Sequence, residues 1–318
     1  MKLIVQIPCY NEEHTLPRTV ADIPRKIEGV AAVEILVVDD GSTDRTVAAA
    51  RKAGVDHIVR HPRNRGLAMS FMTGIEACLQ RGADIIVNTD GDNQYCGADI
   101  PSLIRPIIDH PADSVIGDRQ TDSIAHFSPV KKKLQKTGSM LVRLLSETRV
   151  PDAVSGFRAF SRNAAMQINI VSRYSYTVET VIQAGNKRLA VASVPVRTNP
   201  KTRDSRLIKS LPNFIFNQIN TMVRMYAMFR PLKAFFIVGG LCLLAGLIPS
   251  ARFLFFYLAG KGGGHIQSLI MAAVLFIVGF QVLVLGLLGD LMSHNRKLIE
   301  EVLLRVRRME LDKERKDE

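Results

Sequence analysis

The sequence predicts an α/β domain built on a mostly parallel sheet, followed by amphipathic helices and a hairpin of two apolar helices. Short β-branched runs alternate with helical stretches over residues 1–200. Several of those runs are almost wholly apolar, as strands buried on both faces are. Two long apolar runs then stand in tandem further along the chain.

The alternation can be followed in order. Strands are predicted at Leu3–Ile7, Glu34–Val38, His57–Val59, Ile85–Asn88, Ser114–Ile116 and Leu189–Val194. Helices are predicted near Thr15–Ile27, Asp44–Ala53, Leu67–Arg81 and Ile100–Asp109. Strands alternating with helices imply right-handed crossovers. In such sheets the functional site lies at the carboxyl ends of the strands. Pro8–Glu13, Asp39–Asp44 and Asp90–Gln94 are the loops that follow the first, second and fourth of these strands.

Beyond Pro200 the composition changes. Lys201, Arg203, Arg206, Lys209, Arg224, Arg230 and Lys233 face a single acid, Asp204, while Ile208, Leu211, Ile215, Ile219, Met222, Tyr226 and Phe229 recur every three or four residues. This predicts an amphipathic helix pair over 201–233, broken at Pro212 and lying at a membrane interface. Ala234–Ala259 carries only Arg252 as a charge, and Ile266–Gly289 carries none. Each reaches the roughly 20 residues that span a bilayer core, so 234–289 is expected to be a transmembrane hairpin, turning at Lys261–His265. Arg230 and Lys233 precede it and Arg296 and Lys297 follow it. That bias places the 1–200 domain and both termini in the cytosol. From residue 290 on, mixed charges predict a solvated helix or tail.

With 318 residues, the chain has room for one domain and an appendage. Hydrophobic residues make up 47%, so any membrane part is local. The net charge of +12 points to an anionic partner, and nucleic acid, an anionic bilayer and phosphorylated substrates all fit. The basic stripe lacks the interleaved aromatics and matching fold of a nucleic-acid site. Cys9, Cys78, Cys96 and Cys242 form no CxxC pair, as expected of reduced cytosolic thiols. The N-terminal run is too short and polar for a signal peptide.

The sharpest chemical signal is Asp90-Gly91-Asp92-Asn93-Gln94. Two carboxylates one residue apart, after an apolar strand, can converge on one hard cation, with Gln94 adding an amide oxygen. Mg²⁺ and Mn²⁺ take such oxygen ligands and bridge to phosphates; an ordinary polar turn has the same composition. In Asp39-Asp40-Gly41-Ser42-Thr43-Asp44, Ser42 or Thr43 is placed to cap the next helix, and the acids suit ribose hydroxyls and base N–H groups. Pro8-Cys9-Tyr10-Asn11-Glu12 offers Tyr10 for stacking and Glu12 for base or ribose contact.

These loops resemble those of family 2 glycosyltransferases of the GT-A fold. The similarity continues through Asn64-Arg65-Gly66, Gly117-Asp118-Arg119 and Asp152-Ala153-Val154-Ser155-Gly156-Phe157-Arg158. With the two apolar spans included, the chain is similar to polyisoprenyl-phosphate glycosyltransferases such as dolichol-phosphate mannose synthase and the undecaprenyl-phosphate sugar transferases. The resemblance implies a nucleotide-sugar donor, UDP- or GDP-linked, and a polyprenyl or dolichyl phosphate acceptor in the bilayer. It implies that Pro8, Tyr10, Asn11, Glu12, Asp39, Asp40, Asn64, Gly66, Asp90, Gly91, Ser155 and Arg158 line the donor site. It assigns Mg²⁺ or Mn²⁺ to Asp90, Asp92 and Gln94, catalytic roles to Asp92, Asp152 and Arg119, and acceptor phosphate to Arg119, Lys131 and Lys132. Some relatives use arginines and a serine where this chain has Lys131-Lys132-Lys133 and Ser139.

Rival readings lack their signatures. A processive polysaccharide synthase of the same family carries Gln-x-x-Arg-Trp, and this chain has no tryptophan. Pro8–Glu13 has neither the glycines of a nucleotidyltransferase loop nor the GxGxxG of a dehydrogenase. A membrane scaffold with a degenerate transferase domain would not need Asp90, Asp92 and Arg119 intact. Paired spans leave a homo-oligomer open.

Overall fold

The computed structural model describes residues 1–120, 142, 143, 146, 148, 150–171, 176–200, 211–260 and 262–317. Its sheet has seven strands: β1 (Lys2–Cys9), β2 (Ala32–Asp39), β3 (His57–Arg60), β4 (Ile85–Asn88), β5 (Ser114–Asp118), β6 (Arg158–Ser161) and β7 (Val191–Pro195), in the order β3-β2-β1-β4-β6-β5-β7. All pairings are parallel except the two that β6 makes with β4 and β5. Around it lie α1 (Leu16–Ala21), α2 (Thr46–Lys52), α3 (Leu67–Gln80), α4 (Ile100–Ile108), α5 (Arg162–Gln167) and α6 (Thr177–Asn186).

The apolar strands are explained by two cores. Leu3, Val5 and Ile7 of β1 join Leu16, Val20, Leu103 and Ile104 on one face. Ile4 of β1, with Leu36 and Ile86, joins Phe71, Ile75 and Leu79 on the other. Successive residues of one strand are thus buried on opposite sides, which only a sheet covered by helices on both faces permits.

Boundaries depart from the predicted ones for physical reasons. Helix α1 stops well before Ile27, because Pro24 disfavours helical geometry at Ile23. Neither Ser42 nor Thr43 caps α2. Asp44 Oδ1 accepts from Thr46 N at 2.9 Å, while Ser42 Oγ accepts from Asn11 N at 2.9 Å.

Residues 201–210, the first part of the expected amphipathic pair, lie outside the described residues. Helix α7 runs over Leu211–Phe229 with Pro212 in its first turn, where a missing N–H does no harm. The break falls instead at Arg230, with φ −137° and ψ 53°, before α8 (Pro231–Leu258). A short 3₁₀ turn at Gly262–His265 leads into α9, Ile266–Asp317, an unbroken helix of 52 residues. The apolar run and the charged tail are therefore one helix. Among the described residues, two helices are long and apolar enough to cross a membrane.

Two compact units are present, Met1–Met222 with Leu304–Glu318, and Val223–Leu303. Within the first, the end of α9 is anchored rather than solvated all round: Arg307 Nη1 donates to Met166 O at 3.0 Å and Ile168 O at 3.1 Å, and Leu311 packs against the Phe71 core. In the second, the backbone of Gly239 is packed against Gly279 O and Leu283, where a Cβ would stand 2.9 Å and 2.8 Å away.

Candidate active site

Strand register sets the first two loops side by side. Cys9 pairs with Asp39 at the carboxyl ends of β1 and β2. Across that gap Asn11 Oδ1 accepts from Thr43 N at 2.8 Å, Glu12 N donates to Thr46 Oγ1 at 2.8 Å, and Arg45 N donates to Glu13 Oε2 at 3.0 Å. Asn11 achieves this at φ 56°, a left-handed conformation that asparagine tolerates. Asn11 thus stitches one loop to the other. Glu12 is buried, and its Oε2 accepts from Thr15 Oγ1 at 2.6 Å. Tyr10 is exposed.

The paired acids Asp39 and Asp40 have different tasks. Asp39 is fully buried; its Oδ1 accepts from Ser42 N at 3.1 Å, while Oδ2 has no hydrogen-bond partner. Arg60 Nε lies 3.0 Å from that oxygen as an ion pair, without an N–H aimed at it. A buried carboxylate oxygen left in this way is an acceptor waiting for a donor. Asp40 is spent on the fold. Its oxygens accept from Arg65 N and Gly66 N, each at 2.8 Å, and from His61 Nδ1 at 2.8 Å when that nitrogen carries the proton. It holds the Asn64-Arg65-Gly66 loop in place; Asn64 itself is exposed.

Asp90, Gly91, Asp92 and Gln94 follow β4. Gly91 is pressed on the first loop, since a Cβ there would stand 2.9 Å from Cys9 Sγ and 3.3 Å from Glu12 Cγ. Asn93 takes φ 56°, Gln94 O accepts from Asn199 N at 2.9 Å, and Asp92 Oδ1 accepts from Gln94 N at 3.2 Å. Asp90 lies against Gly156, where a Cβ would come within 2.9 Å of Oδ2. Cys9, beneath these acids, has its thiol pushed up by burial and by Glu12 and Asp39, so it is a neutral thiol rather than a nucleophile.

On the far side, Arg119 and Asp152 form a bidentate pair, Nε to Oδ2 at 2.7 Å and Nη2 to Oδ1 at 3.0 Å. Burial opposes the Arg119 charge, but the Asp152 carboxylate bonded to it favours that charge, and its pKa moves up. Arg158 is buried under the same loop and donates to Ser155 O and Ala153 O, each at 2.7 Å, and to Thr180 Oγ1. Burial lowers it to about 10, so it remains a cation at neutral pH. It shapes the loop from below. Ser155 Oγ is buried without a partner. Lys131 and Lys132 lie outside the described residues.

Sequence reasoning missed Asn88, Tyr95 and Tyr176, which surround Gly156. The one available signal was Asn88, a polar residue closing the apolar run Ile85-Ile86-Val87.

The sequence profile of glycosyl transferase family 2 matches residues 4–168, more than half of the chain. The chain belongs to glycosyl transferase family 2. An uncharacterized protein of Methanocaldococcus jannaschii is 34% identical to this glycosyltransferase over 202 residues, covering 62% of this chain and 81% of the relative. The UDP-N-acetylglucosamine–dolichyl-phosphate N-acetylglucosaminyltransferase of Methanococcus voltae is 29% identical, covering 60% and 83%. The polyprenol monophosphomannose synthase of Mycolicibacterium smegmatis is 28% identical, covering 61% and 76%. The glucosyl-3-phosphoglycerate synthase of Mycobacterium tuberculosis, in complex with UDP, shares the fold at a TM-score of 0.57 and 21% identity, over 71% of this chain and 80% of that one. The glycosyltransferase therefore has the GT-A fold, extended by two long apolar helices.

Proposed function

We propose that this glycosyltransferase moves a sugar, with inversion, from a UDP- or GDP-linked donor to a polyprenyl or dolichyl phosphate at the cytosolic membrane face. The observation that carries the reading is the single loop Asp152–Arg158: at Gly156 it meets Asp90, and at Asp152 it grips Arg119. The residues assigned here to donor and to acceptor, Asp90 and Arg119, both touch this one segment, which supports a shared transfer site. The names of the relatives from Methanococcus voltae and Mycolicibacterium smegmatis, and the two apolar helices, support a lipid-phosphate acceptor.

Each residue has a task in this reading. Asp39 Oδ2 accepts a hydrogen bond from the nucleoside and Tyr10 stacks on it. Among the described residues no three His, Cys, Asp or Glu side chains gather as a metal cage. Two carboxylates and an amide, Asp90, Asp92 and Gln94, are hard oxygen donors, the ligand type that would hold Mg²⁺ or Mn²⁺. The cation supplies neutralisation of charge on the departing nucleotide. Arg119 meets the acceptor phosphate, whose second pKa near ~6 leaves it largely dianionic at neutral pH. Its oxygen attacks the anomeric carbon as the nucleotide leaves, so no side chain has to take a proton. Asp152 holds Arg119 in line, and positioning with charge neutralisation provides the rate enhancement.

The test is incubation of the full chain, in detergent, with polyprenyl phosphate, Mn²⁺ or Mg²⁺, and labelled nucleotide sugars in turn. Label is expected in the organic phase for one donor, and Asp92→Ala abolishes it without changing the circular dichroism spectrum. Absence of lipid-soluble label with every donor, or full activity of Asp92→Ala, overturns the reading.

A further inference from the structure

A chain of buried polar side chains with no place in the transfer step ends on one peptide segment. It begins at Gln6 of β1, whose Nε2 donates to Asn88 Oδ1 at 2.9 Å across the paired strands. Asn88 is fully buried, and its Nδ2 donates twice, to Gly156 O at 2.8 Å and to Tyr176 OH at 2.7 Å. Tyr176 OH in turn donates to Gly156 O at 3.3 Å. From the other side Gly156 N donates to Tyr95 OH at 2.8 Å. Both polar groups of Gly156 are therefore held by side chains from outside its own loop.

The tyrosines are themselves locked. Tyr176 stacks on Phe71 with ring centres 4.0 Å apart, and Tyr95 stacks on Phe157 at 5.2 Å.

Gly156 is where this order meets the chemistry. A Cβ on it would stand 2.9 Å and 3.1 Å from the two carboxylate oxygens of Asp90 and 3.1 Å from Tyr176 OH. The carboxylate thus rests flush on the bare backbone. A buried polar network of this kind stabilises a fold about as well as apolar packing of the same shape would. Its distinguishing property is direction: three of these five bonds are made to Gly156 O or N, and the other two, Gln6 to Asn88 and Asn88 to Tyr176, hold the side chains that make them.

We propose that Asn88, Tyr95 and Tyr176 are positioning residues that clamp Gly156 as a backstop for Asp90, setting that carboxylate for a divalent cation and keeping it in register with Asp152 of the same loop and with Arg119, which Asp152 holds. The inference rests on the assignment of Asp90 to the cation. Groups that orient a metal ligand from behind are worth about 10–100-fold in metal affinity. Asp39, which meets the nucleoside, stands on a different loop and is not touched by the clamp.

Two measurements on the full chain in detergent separate these effects. Mn²⁺ binding in the presence of UDP, or of GDP where the wild type prefers it, is followed by the loss of free-ion EPR signal. Binding of the same nucleotide with EDTA present is followed by calorimetry. Tyr95→Phe and Tyr176→Phe each remove one hydroxyl, and Gly156→Ala places a methyl against Asp90. The expected result is Mn²⁺ affinity lower by about 10–100-fold in each, with metal-free nucleotide affinity unchanged. Wild-type Mn²⁺ affinity in all three variants overturns the inference and leaves the functional reading standing. Parallel loss of metal-free nucleotide binding in both tyrosine variants also overturns it, since the hydroxyls then serve the fold at large. A wild-type chain that binds no Mn²⁺ with either nucleotide overturns the reading and the clamp together.

Discussion

Asp152 shows how much a contact says about a role. A general base needs a lone pair within reach of the proton it takes and a pKa near the operating pH. Asp152 instead has both oxygens on Arg119 in the fork geometry that suits a guanidinium, and it is buried. Replacing it with asparagine keeps the shape and removes the charge that holds Arg119. We expect Asp152→Asn to raise the KM for the lipid phosphate and to lower kcat, with the KM for the nucleotide sugar unchanged. In the proposed mechanism no proton passes through Asp152, so the variant's rate against pH should keep the wild-type shape, scaled down. Disappearance of an acid limb from that profile would instead make Asp152 the base. Arg119→Lys loses the fork as well and should cost about 100-fold or more in kcat.

At the scale of elements, the sheet was legible because its strands are apolar runs. β4 spans Ile85–Asn88 as predicted, and α3 ends one residue before the predicted Arg81. β6 was not, because it is short and opens on Arg158, whose charge is satisfied by carbonyls of a loop that no local pattern reveals. The site shows the same division. Its loops follow from their places after strands. Asp40 and Asn11 also bond to backbone groups 25 and 32 positions away, contacts that no local pattern reveals. Gly41 gives this a testable form. It has φ +70°, and a Cβ there would stand 2.5 Å from the Arg63 carbonyl carbon and 2.8 Å from Asn64 N. Gly82 has φ +74° with nothing within 4 Å. Gly82→Ala should therefore lose only about 1 kcal/mol to backbone strain. Gly41→Ala should lose about 1–3 kcal/mol more by overpacking, and bind nucleotide more weakly because the loop under Asp39 shifts. Equal melting temperatures for the two variants would show that the contact yields without effect.

At the scale of the whole molecule, the length and charge of the C-terminal helix invited a division that the structure does not make. Arg305, Arg307 and Arg308 among Glu300, Glu301 and Glu310 read as a solvated face. Yet residues from Leu304 onward belong to the first compact unit. Arg307 is the reason. Its guanidinium meets Met166 O in the last turn of α5 and Ile168 O just beyond it, and stands 3.4 Å from Glu76 of α3. A cation at a helix carboxyl end satisfies carbonyls that the helix itself leaves open and complements the dipole there. Arg308 reaches only an exposed contact with Asn163 at 3.4 Å. The two neighbours should therefore differ sharply when each is changed to alanine. Arg307→Ala is expected to destabilise the first unit by about 1–3 kcal/mol, the range for bonds made by a charged donor. Arg308→Ala is expected to stay within about 0.5 kcal/mol of wild type. Thermal unfolding of the full chain in detergent, followed by circular dichroism, measures both, and limited proteolysis should release residues beyond Leu303 faster only in Arg307→Ala. Unchanged melting and unchanged cleavage in that variant would mean that Leu311, packed on the Phe71 core, holds the end of the helix without help from charge.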